Sequence, residues 1–253
     1  MAIPGKTALI TGGSQGIGEA IARRLAAEGV TVAVVASSDR QKAQSVAASL
    51  PGGKALAFAA DVRDAAAVAA LVNEAHAALG SIDILINSAG VFYPTPAGGT
   101  EDADYDRMVD INLKGTWNAV NAVAPLMKAQ QRGWIVNLGS VAGSMGIGGY
   151  AVYCATKAAI IMMTRTLAIE LAPHGISVNC LSPGNTATPM NLDIRTSPEL
   201  APMLEAMRAR TPSGQVHSSA EDMANIVAFL LSDGARAMHG ANILADEGFS
   251  AGM

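Results

Sequence analysis

Short apolar runs alternate with longer amphipathic stretches along nearly the whole chain. The runs Thr7–Ile10, Thr31–Ala36, Ala55–Ala59, Ile84–Asn87, Trp134–Leu138, Ile176–Leu181 and Asn242–Ala245 are predicted strands. They read as continuously hydrophobic, the pattern of strands covered on both faces. Between them the apolar positions follow helical spacing. In the first such stretch Ile17, Ile21 and Leu25 form one stripe that stops near Gly29. Strand and helix alternating in this way predict an α/β fold: a doubly wound, seven-stranded parallel sheet with helices on both faces.

No Pro/Gly/Ser-rich linker, repeat or low-complexity tract divides the sequence, so residues 1–253 are expected to form one domain. The stretch from Pro183 to about Ser219 breaks the pattern, with Pro183, Pro189, Pro198, Pro202 and Pro212 around a short Met- and Leu-rich helical piece. So long an irregular segment in a compact domain is usually functional, and 186–218 is expected to be a lid. The helical stretches Asp104–Gln130 and Tyr150–Leu171 are also more apolar than one buried face requires.

Composition narrows the function classes. Half of the residues are hydrophobic and 15% charged, enough for a sizeable core and against disorder. The net charge is −4, and Lys and Arg are scattered singly, so neither nucleic acid nor an anionic membrane is an expected partner. The start, Met1 to Lys6, lacks the sections of a signal peptide. No apolar run is expected to reach the ~20 residues that span a bilayer. Cys154 and Cys180 give neither a disulfide framework nor a metal spacing, and His76, His174, His217 and His239 lie far apart. The expectation is a cytoplasmic protein without a metal.

Candidate chemistry lies at the predicted strand ends. After the first strand comes Thr11-Gly12-Gly13-Ser14-Gln15-Gly16-Ile17-Gly18, and then a helix. Glycines here permit a tight turn and close approach to a pyrophosphate, which the helix N-terminus favours. The Gly-x-x-x-Gly-x-Gly spacing departs from the Gly-x-Gly-x-x-Gly dinucleotide fingerprint. Asp61-Val62 follows the third strand, where an adenine would lie, although Asp61 could equally cap the next helix. Asn87-Ser88-Ala89-Gly90 closes the fourth. After the fifth come Ser140 and then a helix with Tyr153 and Lys157 one turn apart on one face. An ammonium beside a phenol is expected to lower the phenol's pKa from its usual ~10 by roughly 2–3 units.

Together these residues resemble the short-chain dehydrogenase/reductase family, in its compact, roughly 250-residue type, from Gly5 to Gly248. The marks are Thr11–Gly18, Asn87-Ser88-Ala89-Gly90, Asn112, Ser140, Tyr153, Lys157 and Pro183-Gly184. The resemblance implies a Rossmann sheet and hydride transfer between a nicotinamide dinucleotide and a small carbonyl or alcohol. Tyr153 is implied as the general acid or base, Ser140 as the donor holding the substrate oxygen, and Lys157 as the ligand of the ribose hydroxyls. Asn112 is implied to anchor a water for proton exchange. Gly12, Ser14, Gln15, Gly16, Ile17 and Gly18 would hold the pyrophosphate, with Asp61, Val62, Asn87, Ala89 and Gly90 around the adenosine side. Pro183, Gly184, Thr186 and Thr188 would meet the nicotinamide, unless Thr188 only caps a helix. The family also implies a homotetramer built on the two apolar helices. Two departures stand out: Ser88 in place of a second Asn, and Asp246-Glu247-Gly248 in place of Asp-Gly-Gly.

The second strand ends at Ala36 rather than at the acid that would bind a ribose 2′-OH. Ser37 and Ser38 could donate to a 2′-phosphate, with Arg40 helping if it turns inward, while Ser38 or Asp39 could instead cap the next helix. NADP(H) is therefore favoured modestly, with NAD(H) the alternative. A pocket wall of Val141, Met145, Ile147 and Tyr150, with Phe92 or Tyr93 near the cofactor and Met190, Leu192, Met203 and Met207 on the lid, suits a moderately hydrophobic ketone. A polyol or sugar alcohol and a 3-oxoacyl thioester are the other substrates weighed. A catalytically silent dinucleotide-binding scaffold or sensor would have no use for Ser140, Tyr153, Lys157 and Asn112 together.

Overall fold

The computed structural model describes Ile3 and residues 6–251; Met1, Ala2, Pro4, Gly5, Gly252 and Met253 lie outside the described residues. The strands β1 (Thr7–Thr11), β2 (Thr31–Ala36), β3 (Leu56–Ala59), β4 (Ile84–Asn87), β5 (Gly133–Leu138), β6 (Ile176–Pro183) and β7 (Asn242–Ala245) form one sheet. Its order is β3-β2-β1-β4-β5-β6-β7, and every neighbouring pair is parallel. Period-two geometry turns a continuous apolar run into two cores. From β1, Ala8 and Ile10 join Ile21 and Leu25 of α1 (Gly16–Ala27), with α2 (Arg40–Ser49) and α9 (Ala220–Leu230) on the same face. Leu9 joins the opposite face, covered by α3 (Ala65–Leu79), α5 (Gly115–Gln130) and α6 (Ala151–Leu171). Ile10, Leu9, Ile84, Leu85 and Ile86 are fully buried, and each such side chain contributes about 1.5–3 kcal/mol of hydrophobic stabilisation.

The chain winds outward from β1 in both directions, because β1 pairs with β2 on one side and with β4 on the other. That switch opens a crevice beyond the carboxyl ends of β1 and β4. Between α4 (Asp102–Val109) and α5, the turn Asp110–Lys114 is π-helical, a local widening common at functional sites.

The 186–218 region carries α7 (Leu192–Thr196), α8 (Ala201–Arg210) and tight turns at Pro189–Asn191 and Pro198–Leu200, more helix than the one short piece expected. One expectation is corrected: α6 with the turn that follows it, Ala151–His174, is long and apolar enough to cross a membrane by length and composition. Here it lies against β6 and α4, and Ile160, Ile161, Thr164, Leu167, Ala168 and Leu171 are buried.

Candidate active site

The turn after β1 folds as its glycines require. Gly12 has φ +66°, and a Cβ there would stand 2.7 Å from the Ala89 nitrogen. A Cβ at Gly18 would collide with the Gly12 carbonyl. The loop from β4 and the start of α1 thus pack directly on this turn. Gln15 precedes α1 in extended conformation, and no side chain caps the helix, so its first N–H groups stay available to an anion. Gly16 lies beneath Thr188, whose Cβ would be 3.4 Å from a Cβ at Gly16. The base of the 186–218 segment therefore borders the glycine turn.

At the next strand ends a buried amide chain runs across the sheet. Asn87 Nδ2 donates to Asn137 Oδ1 at 2.9 Å, Asn137 Nδ2 to Thr164 Oγ1 at 2.9 Å, and Thr164 Oγ1 to the Ile160 carbonyl at 2.8 Å. The first link exists because Asn87 and Asn137 are register partners on β4 and β5. Asn87 Oδ1 and Thr186 Oγ1 are buried without a partner among the described residues, and buried polar atoms of that kind normally have one. Together with the glycine cradle and the uncapped helix, they fit a dinucleotide held along this edge. Val62 is buried, and its carbonyl accepts from Asn118 Nδ2 at 2.8 Å.

Ser140, Tyr153 and Lys157 converge just beyond β5. Ser140 is buried and caps the short turn Val141–Gly143, its Oγ accepting from the Ala142 N–H at 3.2 Å. Desolvation pushes the Tyr153 phenol up to about 12, partly offset by a hydrogen bond with Ser140. This reverses the expected depression. Lys157 is itself buried, with Nζ 5.7 Å from the Tyr153 ring centroid, and it donates to the Leu138 carbonyl at 2.8 Å. Burial brings Lys157 down to about 8. In both groups the loss of water disfavours the charged form, and it is the largest influence on each.

Asn112, fully buried on the π-helical turn, clasps the loop after Gly90. Its Oδ1 accepts from the Val91 N–H at 2.8 Å, and its Nδ2 donates to the Val91 carbonyl at 3.0 Å and to Thr156 Oγ1 at 3.3 Å. Its own carbonyl accepts from Thr116 Oγ1 at 2.7 Å. A Cβ at Gly90 would lie 3.3 Å from Asn112 Oδ1 and 3.9 Å from Lys157 Nζ, so Asn112 and Lys157 flank the same glycine.

Other positions fall differently from expectation. Asp61 is committed to Arg63 through contacts of 2.6–3.0 Å, which hold its carboxyl below the usual range; Asp64, not Asp61, caps α3. Asp39 caps α2, leaving Ser37 and Ser38 exposed. Arg40 turns away, over the Phe58 ring and toward Glu74 at 3.8 Å. Tyr93 donates its hydroxyl to the Asp104 carbonyl, whereas Phe92 faces Tyr153. Gly184 bonds to Ala245, and a Cβ there would meet Asp246 at 2.6 Å. Thr188 opens the turn Pro189–Asn191, where its carbonyl accepts from Arg195 Nη2 at 3.2 Å.

Sequence reasoning passed over Asn137, Thr164 and Thr156, whose signal was a polar residue in otherwise apolar stretches. It also left Glu247 unexplained. Glu247 sits at φ +59°, its carboxylate accepts from Ser218 Oγ at 2.9 Å, and Ser218 pairs with Thr186. The Glu departure thus ties the end of β7 to the base of the 186–218 segment.

Comparison with known proteins follows the same geometry. A family model described as enoyl-(acyl carrier protein) reductase matches residues 12–250. The chain is 38% identical to the 3-oxoacyl-(acyl-carrier-protein) reductase FabG of Staphylococcus aureus over 245 residues, 96% of this chain and 97% of that protein. A crystal structure of a dehydrogenase/reductase from Sinorhizobium meliloti superposes with TM-score 0.90 at 36% identity, covering 98% of this chain and 96% of the other. A gluconate 5-dehydrogenase from Burkholderia cenocepacia, in complex with NADP and tartrate, gives TM-score 0.93 at 31% identity, with 99% and 97% covered.

Proposed function

The chain belongs to the short-chain dehydrogenase/reductase family, and from that premise we propose Tyr153 as its general acid and base and NADP(H) as its preferred cofactor. It is an oxidoreductase, moving a hydride between a nicotinamide dinucleotide and a ketone or secondary alcohol. The observation that carries the Tyr153 assignment is the convergence of Ser140, Tyr153 and Lys157 at the carboxyl edge of the sheet, facing the glycine turn.

The dinucleotide supplies or accepts the hydride when bound. Gly12, Gly16 and Gly18 make room for its pyrophosphate, with Ser14, Gln15 and Ile17 completing the turn. Asn87, Ala89, Gly90 and Val62 line the adenosine side, and Pro183, Gly184, Thr186 and Thr188 the nicotinamide side. In reduction Ser140 donates to the carbonyl oxygen and steadies the developing alkoxide, while Tyr153 gives up its phenolic proton to it. Burial keeps the phenol protonated near neutral pH, and that is the form needed for the donation. Lys157, beside Gly90 and Asn112, sits where a proton can be returned to Tyr153.

The NADP(H) preference rests on Ala36, which leaves the strand end without a carboxylate, and on the exposed Ser37 and Ser38 hydroxyls; Asp61, paired with Arg63 at the surface, stays on the adenosine side. The relative crystallised with NADP supports it. A moderately hydrophobic ketone remains the first substrate reading, supported by the apolar wall. A 3-oxoacyl thioester is the second, favoured by the FabG relative. The proposal extends to one catalytic domain with 186–218 as its lid, and to a homotetramer. It also places the chain in the cytoplasm, consistent with two unpaired thiols, Cys154 and Cys180.

Purified protein should oxidise NADPH in the presence of a hydrophobic ketone with kcat/KM above that for NADH. Tyr153→Phe should bind NADPH as before yet lose about 10²–10⁴-fold in turnover. Wild-type turnover in that variant would sink the assignment, and a larger kcat/KM with NADH would sink the cofactor preference.

A further inference from the structure

Beside Tyr153 stands an aromatic arrangement that proton transfer itself does not require. The rings of Phe92 and Tyr150 lie parallel, 4.6 Å between centroids and 4° between planes. Phe92 also meets the Tyr153 ring at 4.8 Å and 75°, an edge contact. One ring comes from the loop after β4 and the other from the residue just before α6, so the stack closes one side of the reacting phenol with two separate pieces of chain.

Both pieces are held. Asn112 grips Val91 on both backbone groups, which fixes the neighbour of Phe92. Thr95 pairs with Tyr150: its N–H donates to the Gly149 carbonyl at 2.6 Å, and its Oγ1 accepts from the Val152 N–H at 3.2 Å. Both residues are nonetheless of intermediate exposure, so neither is sealed into the core. Among the described residues no cation lies on either ring; the nearby Arg107 covers Tyr93 instead, 5.4 Å from its centroid. Such a wall offers flat apolar faces and little to hydrogen-bond a row of hydroxyls or pair with a carboxylate.

We propose that the Phe92–Tyr150 stack is the substrate-selecting wall of this site, and that it selects ketones and secondary alcohols whose reacting carbon bears an apolar ring. The proposal rests on Tyr153 being the proton donor, since the stack is placed by its contact with that ring. A planar group laid against the stack gains ring–ring interaction that a flexible alkyl chain of equal size lacks, worth roughly 3- to 10-fold in affinity. A polyhydroxylated substrate would instead surrender hydrogen bonds to water without replacement.

The test compares acetophenone, 2-octanone of the same carbon count, and fructose as substrates for the full-length protein with NADPH. Wild type should favour acetophenone over 2-octanone by roughly 3- to 10-fold in kcat/KM, mainly through KM, and over fructose by more. Phe92→Leu and Tyr150→Leu should each bring the aryl-to-alkyl ratio toward unity. Calorimetric titration of acetophenone into the NADP-loaded protein, a pair between which no hydride can pass, should show weaker binding in both variants than in wild type. A wild type that favours 2-octanone or fructose, or reduces none of the three, overturns the proposal. So do variants in which both ketones fall in parallel, because the stack would then only hold Tyr153 in place. Tyr153→Phe keeping wild-type turnover on acetophenone would overturn the underlying assignment instead.

Discussion

At Lys157 an ammonium that is 6% exposed has the uncharged Leu138 carbonyl as its hydrogen-bond partner. Below its folded pKa of about 8, the folded and unfolded chains both hold the proton, and stability does not change with pH on this account. Between about 8 and the ordinary 10.5, the unfolded chain holds a proton that the folded chain has released, so stability rises with pH. The buried charge therefore costs up to about 3 kcal/mol near pH 7, less the roughly 1 kcal/mol that its hydrogen bond returns. Lys157→Met should raise unfolding free energy in urea by about 1–3 kcal/mol near pH 7 while abolishing turnover, and the gap to wild type should close near pH 10. A gap that is the same at both pH values would refute this account. At Ala36, buried at the end of β2, introducing Asp should add a partner for a ribose 2′-OH and repel a 2′-phosphate. The kcat/KM ratio of NADH to NADPH should then rise by about 10-fold or more, a change of at least roughly 1.4 kcal/mol; an unchanged ratio would place the 2′-position elsewhere. Tyr153 and Lys157 were legible in the sequence because one helical turn joins them. The clasp of Asn112 on Val91 was not, since two distant segments meet there only in the folded chain.

Strands were the most legible elements, because burial on both faces leaves an unbroken apolar run whose ends shift by only a residue or two. The 186–218 segment was the least. Its prolines read as breakers, yet Pro189, Pro198 and Pro202 each stand in the first turn of a helical piece, where the missing N–H is no loss. Glu247 links this segment to the sheet at a cost, since a non-glycine residue in the left-handed region loses about 1–2 kcal/mol. Its bond from Ser218 returns about 1 kcal/mol. Glu247→Gly should relieve the first and forfeit the second, leaving the melting temperature within about 4 °C of wild type. Amide exchange at Thr186–Thr188 should nevertheless quicken, because Ser218 loses its tether while still pairing with Thr186. Unaltered exchange there would show that Glu247 does not hold the segment.

At the scale of the whole molecule, two separate apolar surfaces lack a partner among the described residues. One lies along α5 and α6, where Trp117 is 45%, Met162 56% and Ile169 80% exposed. A groove between these helices is lined by Trp117, Val120, Pro125, Leu167 and Leu171. The other lies at β7, which is the edge of the sheet, and on α9, with Leu244 45% and Phe229 38% exposed. Contiguous apolar exposure on this scale commonly marks association, and a surface that meets a copy of itself generates a two-fold axis. Two distinct surfaces of that kind, crossed, generate a tetramer with two-fold axes. Light scattering should therefore give a mass near four times the 25.7 kDa of the chain. Placing charge in one surface separates the two interfaces: Met162→Glu combined with Ile169→Glu should yield a dimer joined through β7, and Leu244→Asp a dimer joined through α5 and α6. All three substitutions fall at exposed positions, so the fold itself should survive, as circular dichroism and NADPH binding would record. A wild type that stays monomeric at micromolar concentration would exclude the assembly. Variants that remain tetrameric would place the interfaces on other surfaces.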